Sequence, residues 1–218
     1  GLEARFNDYE AGSFSSTTSA SFSVDMAIGS VDGNELDGNT ANGTSEAIGT
    51  AYGYQIDLST SFTGEDSLNV SIDAGSGAKQ LGELDLNSSG DGLIVDGITY
   101  SFPLGDKTTV LVGDSTDGSA LYSTACVYGG FTNTLDDCGN ASSAFTAPDN
   151  SAALSASYDI GNGFTGALGY AGQGTGDNKG LMTKEGTDYY GGQVAYSADN
   201  YGASVTYANL DDKTVWGL

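Results

Sequence analysis

Apolar and polar residues alternate along most of this chain in short runs with a period of two. Phe22, Val24, Met26 and Ile28 are interleaved with Ser21, Ser23 and Asp25. Tyr52, Tyr54, Ile56, Leu58 and Phe62 alternate with Gln55, Asp57, Ser59 and Ser61. Leu68, Val70, Ile72 and Ala74 alternate with Asn69, Ser71 and Asp73. Successive side chains of a strand point to opposite faces, so each run predicts a strand with one apolar and one polar face. A fourth strand ends in Ile98, Tyr100 and Phe102, and a fifth carries Val110 and Val112. Leu154, Ala156, Tyr158 and Ile160, then Phe164, Gly166, Leu168 and Tyr170, form two arms joined by Gly-Asn-Gly, a hairpin signal. Tyr190, Val194 and Tyr196 mark an eighth strand, Tyr201, Ala203, Val205 and Tyr207 a ninth, and Trp216 a tenth. The expectation is an all-β antiparallel fold of about ten strands.

The connections sharpen this. TGEDS, PLGDK, GNG and SADN are tight, whereas segments 29–46, 75–92, 113–150 and 171–187 are long. Short and long are expected to alternate without exception. A two-layer sandwich has no reason to collect every long loop at one end, whereas an up-and-down barrel across an outer membrane does.

Charge placement is an independent test. All six bases fall outside the clear strands: Arg5 before the first, and Lys79, Lys107, Lys179, Lys184 and Lys213 in loops or turns. Asp25, Asp57, Asp73 and Asp159 take the polar face; Asp96 breaks phase, and Gly97 beside it suggests a bulge. A soluble sheet's wet face usually carries Lys, Arg and Glu, but this one carries Ser, Thr, Gly, Asn, Gln and Asp, as a wet lumen would. Asp25, Gln55, Asp57, Asn69, Asp73 and Gln193 are therefore candidate pore-lining residues. Aromatic residues collect near the strand ends, and Phe62, Phe102, Tyr158, Phe164, Tyr170, Tyr196, Tyr201 and Tyr207 are candidates for two interfacial belts.

Composition narrows the function further. The 218 residues include 34 Gly, 13 Tyr, 2 Pro and no His, with 29 acids against 6 bases and a net charge of −23. That charge repels a phosphate backbone, so nucleic acid is not expected as a partner. No apolar run approaches the roughly 18 residues of a membrane helix, and no signal peptide opens the chain. Catalysis finds no support: there is no histidine and no nucleophile motif, and any two of the acids would serve equally as a nominated pair. No cofactor or resident metal is expected, since the acidic loop residues show no calcium-loop spacing. GNGFTG imitates a dinucleotide fingerprint, but an alternating strand follows where that motif needs a helix.

Leu2, Phe6 and Tyr9 share one helical stripe, so residues 1–12 are expected to be the end of a helix or coiled coil. Residues 13–218 would then be the β domain. Segment 113–150 is the longest loop and holds both cysteines. Two thiols without histidine or CxxC favour a Cys126–Cys138 disulfide in an oxidising compartment over a metal site. Closing the 13 residues from Cys126 to Cys138 would constrain the open loop by about 3 kcal/mol in the entropic model. Such rigidity suits a loop folded into a barrel, with Asp114, Asp117, Asp136 and Asp137 as candidate constriction acids. A stapled surface loop is the alternative.

Five stretches resemble the cyanobacterial outer-membrane porins described as iron-uptake or carbohydrate-selective type. They are LEARFNDYEAGSFSSTT, YGYQIDLSTSFTGEDSLNV, ITYSFPLGDKTTVLVG, TACVYGGFTNTLDDCG and ALSASYDIGNGFTGALGYAG. The resemblance implies a transmembrane antiparallel up-and-down β-barrel in the cell outer membrane, a homotrimer, and passage of inorganic ions and small polar solutes. It also implies an S-layer-homology domain that binds peptidoglycan-linked polymer. Such a domain is missing from these residues, and the chain stops at VWGL without a closing aromatic strand end. The expectation is thus the N-terminal part of a larger barrel. With so few bases, a passive channel here should prefer cations. Its rivals are a non-conducting outer-membrane protein whose acidic loops bind a phage or another cell, and a secreted β-sandwich or solenoid. An inward course for loop 113–150 would favour the channel, and an outward course the receptor.

Overall fold

The computed structural model describes residues 18–30, 48–76, 86–87, 89–123, 151–173, 180–211 and 213–217. The expected helix over residues 1–12, Cys126, Cys138, Asp136 and Asp137 lie outside them. Ten strands form one sheet: β1 (Thr18–Gly29), β2 (Gly49–Thr60), β3 (Ser67–Gly75), β4 (Ile94–Pro103), β5 (Thr108–Asp114), β6 (Ser151–Gly161), β7 (Phe164–Gln173), β8 (Asp188–Ser197), β9 (Gly202–Leu210) and β10 (Lys213–Gly217). Each pairs antiparallel with the next, so the order in space is the order in sequence. This is an up-and-down meander. Among the described residues no helix is long and apolar enough to cross a membrane.

Register aligns the two periodicities across the sheet. Leu68, Tyr100, Val112, Leu154, Tyr170 and Tyr190 face one another in a lateral row from β3 to β8. One residue along, Ser67, Ser101, Leu111, Ser155, Gly169, Gly191 and Ala208 form a row on the opposite face. A one-residue slip anywhere would exchange the faces, so the pattern pins the register. The first row begins beside the tight turn at the start of β3 and reaches β8 close to its long-loop end. Neighbouring strands are thus staggered progressively in one direction.

Tight turns follow from local chemistry. Asn162 and Gly163, both at positive φ (55° and 84°), make the two-residue hairpin turn that matches strand twist. The β2–β3 turn is organised by Asp66. Its Oδ1 accepts from the Phe62 and Thr63 amides (2.9 and 2.8 Å) and from the Ser61 and Thr63 hydroxyls (2.7 and 2.9 Å). Its Oδ2 accepts from the Tyr100 hydroxyl at 2.7 Å. These donors, the Thr63 backbone amide foremost, hold its carboxyl well below the ordinary carboxylate range.

The bulge expected beside Asp96 is present: Ser71 faces Gly97 and Ile72 faces Val95, leaving Asp96 as the extra residue. Two expectations are corrected. Only Asp211 and Asp212 separate β9 from β10, so one connection at the long-loop end is short. Alternation of short and long therefore has an exception. Asp211 reaches that turn at φ 63°, which aspartate tolerates better than most residues. Lys213, expected in a loop, is the first residue of β10 and lies opposite Leu210.

Burial is inverted relative to a water-soluble sheet. Phe22, Met26, Leu168 and Trp216 are 68–69% exposed, and Ile28 75%. The side chains removed from water lie mostly on the polar face and are small: Ala27, Ala51, Ala153, Ser155, Ala167, Ala171, Ala195, Thr206 and Ala208. The hydrophobic effect stabilises a fold by hiding large apolar groups, and here the large groups form the open face.

Candidate functional site

The polar face is the chemically distinctive surface. Ser21, Asp57 and Ser71 stand side by side on β1, β2 and β3. The Asp57 carboxylate accepts from Ser71 Oγ at 2.7 Å and Gln55 Nε2 at 2.8 Å, with Ser21 Oγ at 3.4 Å. Ser67 Oγ donates to Asn69 Oδ1 (3.1 Å) and lies 3.2 Å from Ser59 Oγ. Asp73, two residues along β3 from Ser71, is buried with its Oδ1 unmatched by any hydrogen bond. All six residues nominated as pore-lining occupy this one face: Asp25, Gln55, Asp57, Asn69, Asp73 and Gln193. Asp25 is open to solvent, whereas Asp73 and Gln193 are buried. Among the described residues no three acid or thiol side chains converge as metal ligands would.

Two segments from the long-loop end cover parts of this face. Leu86 packs on Ala27 and Ala51 of β1 and β2. Glycine makes that approach possible. A Cβ at Gly53 would stand 3.4 Å from the Leu86 backbone, and one at Gly75 only 2.0 Å from the Asn87 carbonyl oxygen. Strand glycines commonly mark such close backbone contact.

The second segment, residues 115–123, is the first part of the longest loop. It turns back over the sheet instead of leaving it. Ser155 Oγ of β6 donates to the Gly118 carbonyl. Tyr122 sinks between Ala167 and Ala208, flanked by Tyr189 and Leu210. Its ring lies over Gly191, where a Cβ would come within 3.3 Å of the phenol oxygen and 2.5 Å of the Tyr207 carbonyl. Burial pushes the phenol pKa up, offset in part by the Gly169 backbone amide. At Ser123 the contact becomes polar. Its amide donates to Gln193 Oε1 at 2.7 Å, and its carbonyl accepts from Gln193 Nε2 at 2.9 Å. Gln193 Nε2 also donates to Thr206 Oγ1 at 2.8 Å. Ser155 and Gln193 both stand near the middle of their strands, so the segment reaches mid-depth over the polar face.

Of the acids nominated in this loop, Asp117 belongs to the segment lying over the polar face, and its carbonyl accepts from the Ala120 amide at 3.2 Å. Asp114 does not face it. By register it shares a row with Ile98 and Ala152, on the apolar side, and its Oδ1 accepts from the Ser115 amide. Tyr122, Leu86 and Asp66 were not nominated from the sequence.

Of the nominated aromatic residues, Phe62, Phe102, Tyr158, Phe164, Tyr196 and Tyr201 lie beside the tight turns. Tyr100 links Phe62 (6.3 Å between centroids) to Phe102 (5.6 Å), and Tyr196 links Phe164 (4.8 Å) to Tyr201 (5.9 Å). Tyr158 is exposed on the same face. Toward the long-loop end Tyr52 donates to Asp91 at 2.7 Å and Tyr170 to Asp188. Tyr207 packs edge-on against Trp216 at 4.9 Å. Each ring keeps its apolar body on the exposed face, and these two hydroxyls reach acids near the strand ends.

No protein-family model, curated protein or solved structure matches this chain.

Proposed function

We propose that this chain is the channel-forming part of an outer-membrane porin, passing inorganic ions and small polar solutes by diffusion with a preference for cations. The observation that carries the reading is the inversion of the sheet. A continuous surface of Phe22, Val24, Met26, Ile28, Val95, Val112, Leu154, Leu168, Val194, Val205 and Trp216 is exposed, while the opposite face is polar and built of small residues. Lipid is the solvent in which that arrangement is stable, because exposed Leu and Val cost nothing there and backbone groups are satisfied by strand pairing. Progressive stagger supports the same reading, since closing a sheet into a barrel requires tilted strands in staggered register. In this reading strands beyond the edges of β1 and β10 complete the barrel. The aromatic clusters sit at the two interfaces, and the protein belongs with the cyanobacterial porins it resembles, as a homotrimer.

The inward course of residues 115–123 favours a channel over a receptor. A loop that displays acids to a phage or another cell gains nothing from burying Tyr122 against the sheet. A constriction does.

Reconstitution into planar bilayers tests the proposal. Stepwise conductance increments are expected, with a reversal potential in asymmetric salt of the sign given by cation preference. Absence of steps from protein that has inserted would overturn the channel; anion preference would overturn the charge argument alone.

A further inference from the structure

Gln193 is the one described residue of β8 whose side chain holds both backbone groups of a loop residue. We propose that Gln193 is the positioning residue of the pore, latching residues 118–123 onto the polar face and so setting the width of the open channel; the inference rests on the channel reading above. A carboxamide offers an acceptor and a donor in one plane at every pH, so it imitates a neighbouring strand. Ser123 pairs with it as it would with β-backbone. Thr206 accepts the second Nε2 hydrogen at 2.8 Å and fixes which end of the amide points where. Tyr122, seated over Gly191, supplies apolar contact on one side of the latch, and Ser155 ties Gly118 on the other.

The latch is reversible by design of the medium. In a wet lumen the freed Ser123 amide and carbonyl exchange Gln193 for water at small net cost. Losing the carboxamide therefore lets the segment swing away without dismantling the sheet. Opposite Gln193 stand Ala167 on β7 and Thr206 on β9, neither of which titrates.

Single-channel conductance of the whole protein tests this with wild type, Gln193→Leu and Gln193→Glu. Gln193→Leu should raise conductance and admit larger sugars in vesicle-swelling assays, with β content by circular dichroism unchanged. Gln193→Glu should behave likewise at neutral pH, because a carboxylate repels the Ser123 carbonyl. As the pH falls through the glutamate titration, near about 4.3 and higher with burial, the acid regains a donor and conductance should return toward wild type in the same buffer. If Gln193→Leu does not insert, the Gln193→Glu profile against the wild-type profile carries the test. Wild-type conductance from both variants at neutral pH would overturn the latch and leave the channel standing. A wild type that inserts without conducting would overturn both.

Discussion

At the scale of single residues, Asp66 and Gly191 each do one physical job that no other residue type does as well. Asp66 gathers two amides and three hydroxyls at the β2–β3 turn, and only an ionised carboxylate accepts that many donors. Its folded-state pKa lies below the ordinary 3.8. The stabilisation is therefore complete above that value and is withdrawn as pH falls toward the folded-state pKa. Thermal unfolding in detergent should show wild type losing stability on acidification below about pH 4, where unfolded-state carboxyls begin to protonate. Asp66→Asn should start lower and show a shallower loss. Equal acid slopes for the two proteins would refute the assignment. Gly191 leaves the space that Tyr122 occupies, and an added methyl collides with the Tyr207 carbonyl before it reaches the phenol. Gly191→Ala should cost about 1–3 kcal/mol, the range for overpacking. It should also expose Tyr122 to chymotrypsin, a cleavage expected to be slow in wild type, where Tyr122 is buried.

At the scale of the strand, β7 places opposite demands on adjacent residues. Leu168 is 69% exposed on the apolar face, whereas Ala167 is buried beneath Tyr122. If the proposed bilayer setting holds, Leu168→Arg should impair insertion, since a basic residue facing lipid at mid-depth costs about 2–4 kcal/mol. Ala167→Arg should still insert but lift the inward segment, so its conductance should differ from wild type. Harmless insertion of both variants, measured by recovery in membranes and by heat-dependent gel mobility, would sink the bilayer assignment of β7. These elements were legible because a period of two encodes face, and face survives any change in loop detail. The Asp96 bulge was legible for the same reason, as an acid out of phase beside glycine. The β9–β10 turn was not, because Leu-Asp-Asp-Lys carries none of the Gly, Asn or Pro that usually announces a two-residue connection. The loop seats were hidden more deeply. Tyr122 and Leu86 lie in segments without periodicity, and their only sequence trace is on the partner strands. Gly53, Gly75 and Gly191 leave polar-face positions without a side chain next to Gln55, Asp73 and Gln193 on the same strands. Reading those gaps as seats requires knowing the register first.

At the scale of the whole molecule, the proposed channel raises the question of which charges an ion would meet. A formal charge of −23 suggests a strong field, but charges far from the path count for little at physiological salt. The screening length is about 10 Å at 0.1 M and about 3 Å at 1 M. Acids in outer loops beyond that distance from the conduction path act only in dilute salt. Asp25 and Asp57 sit on the polar face, the wall of the proposed channel, with Asp57 held at fixed geometry by Ser71 and Gln55. If wall acids govern selectivity, cation preference should fall only partly between 0.1 and 1 M salt, the concentrations that separate the two screening regimes. Asp25→Asn combined with Asp57→Asn should then remove most of what survives at high salt. If outer loops govern it, the preference should collapse in 1 M salt for wild type, and the double variant should match wild type throughout. Reversal potentials at a fixed concentration ratio, repeated at both salt levels, separate the two. The wall is favoured because field lines concentrate where low-dielectric lipid surrounds a narrow aqueous path, so two acids there outweigh many dispersed in water.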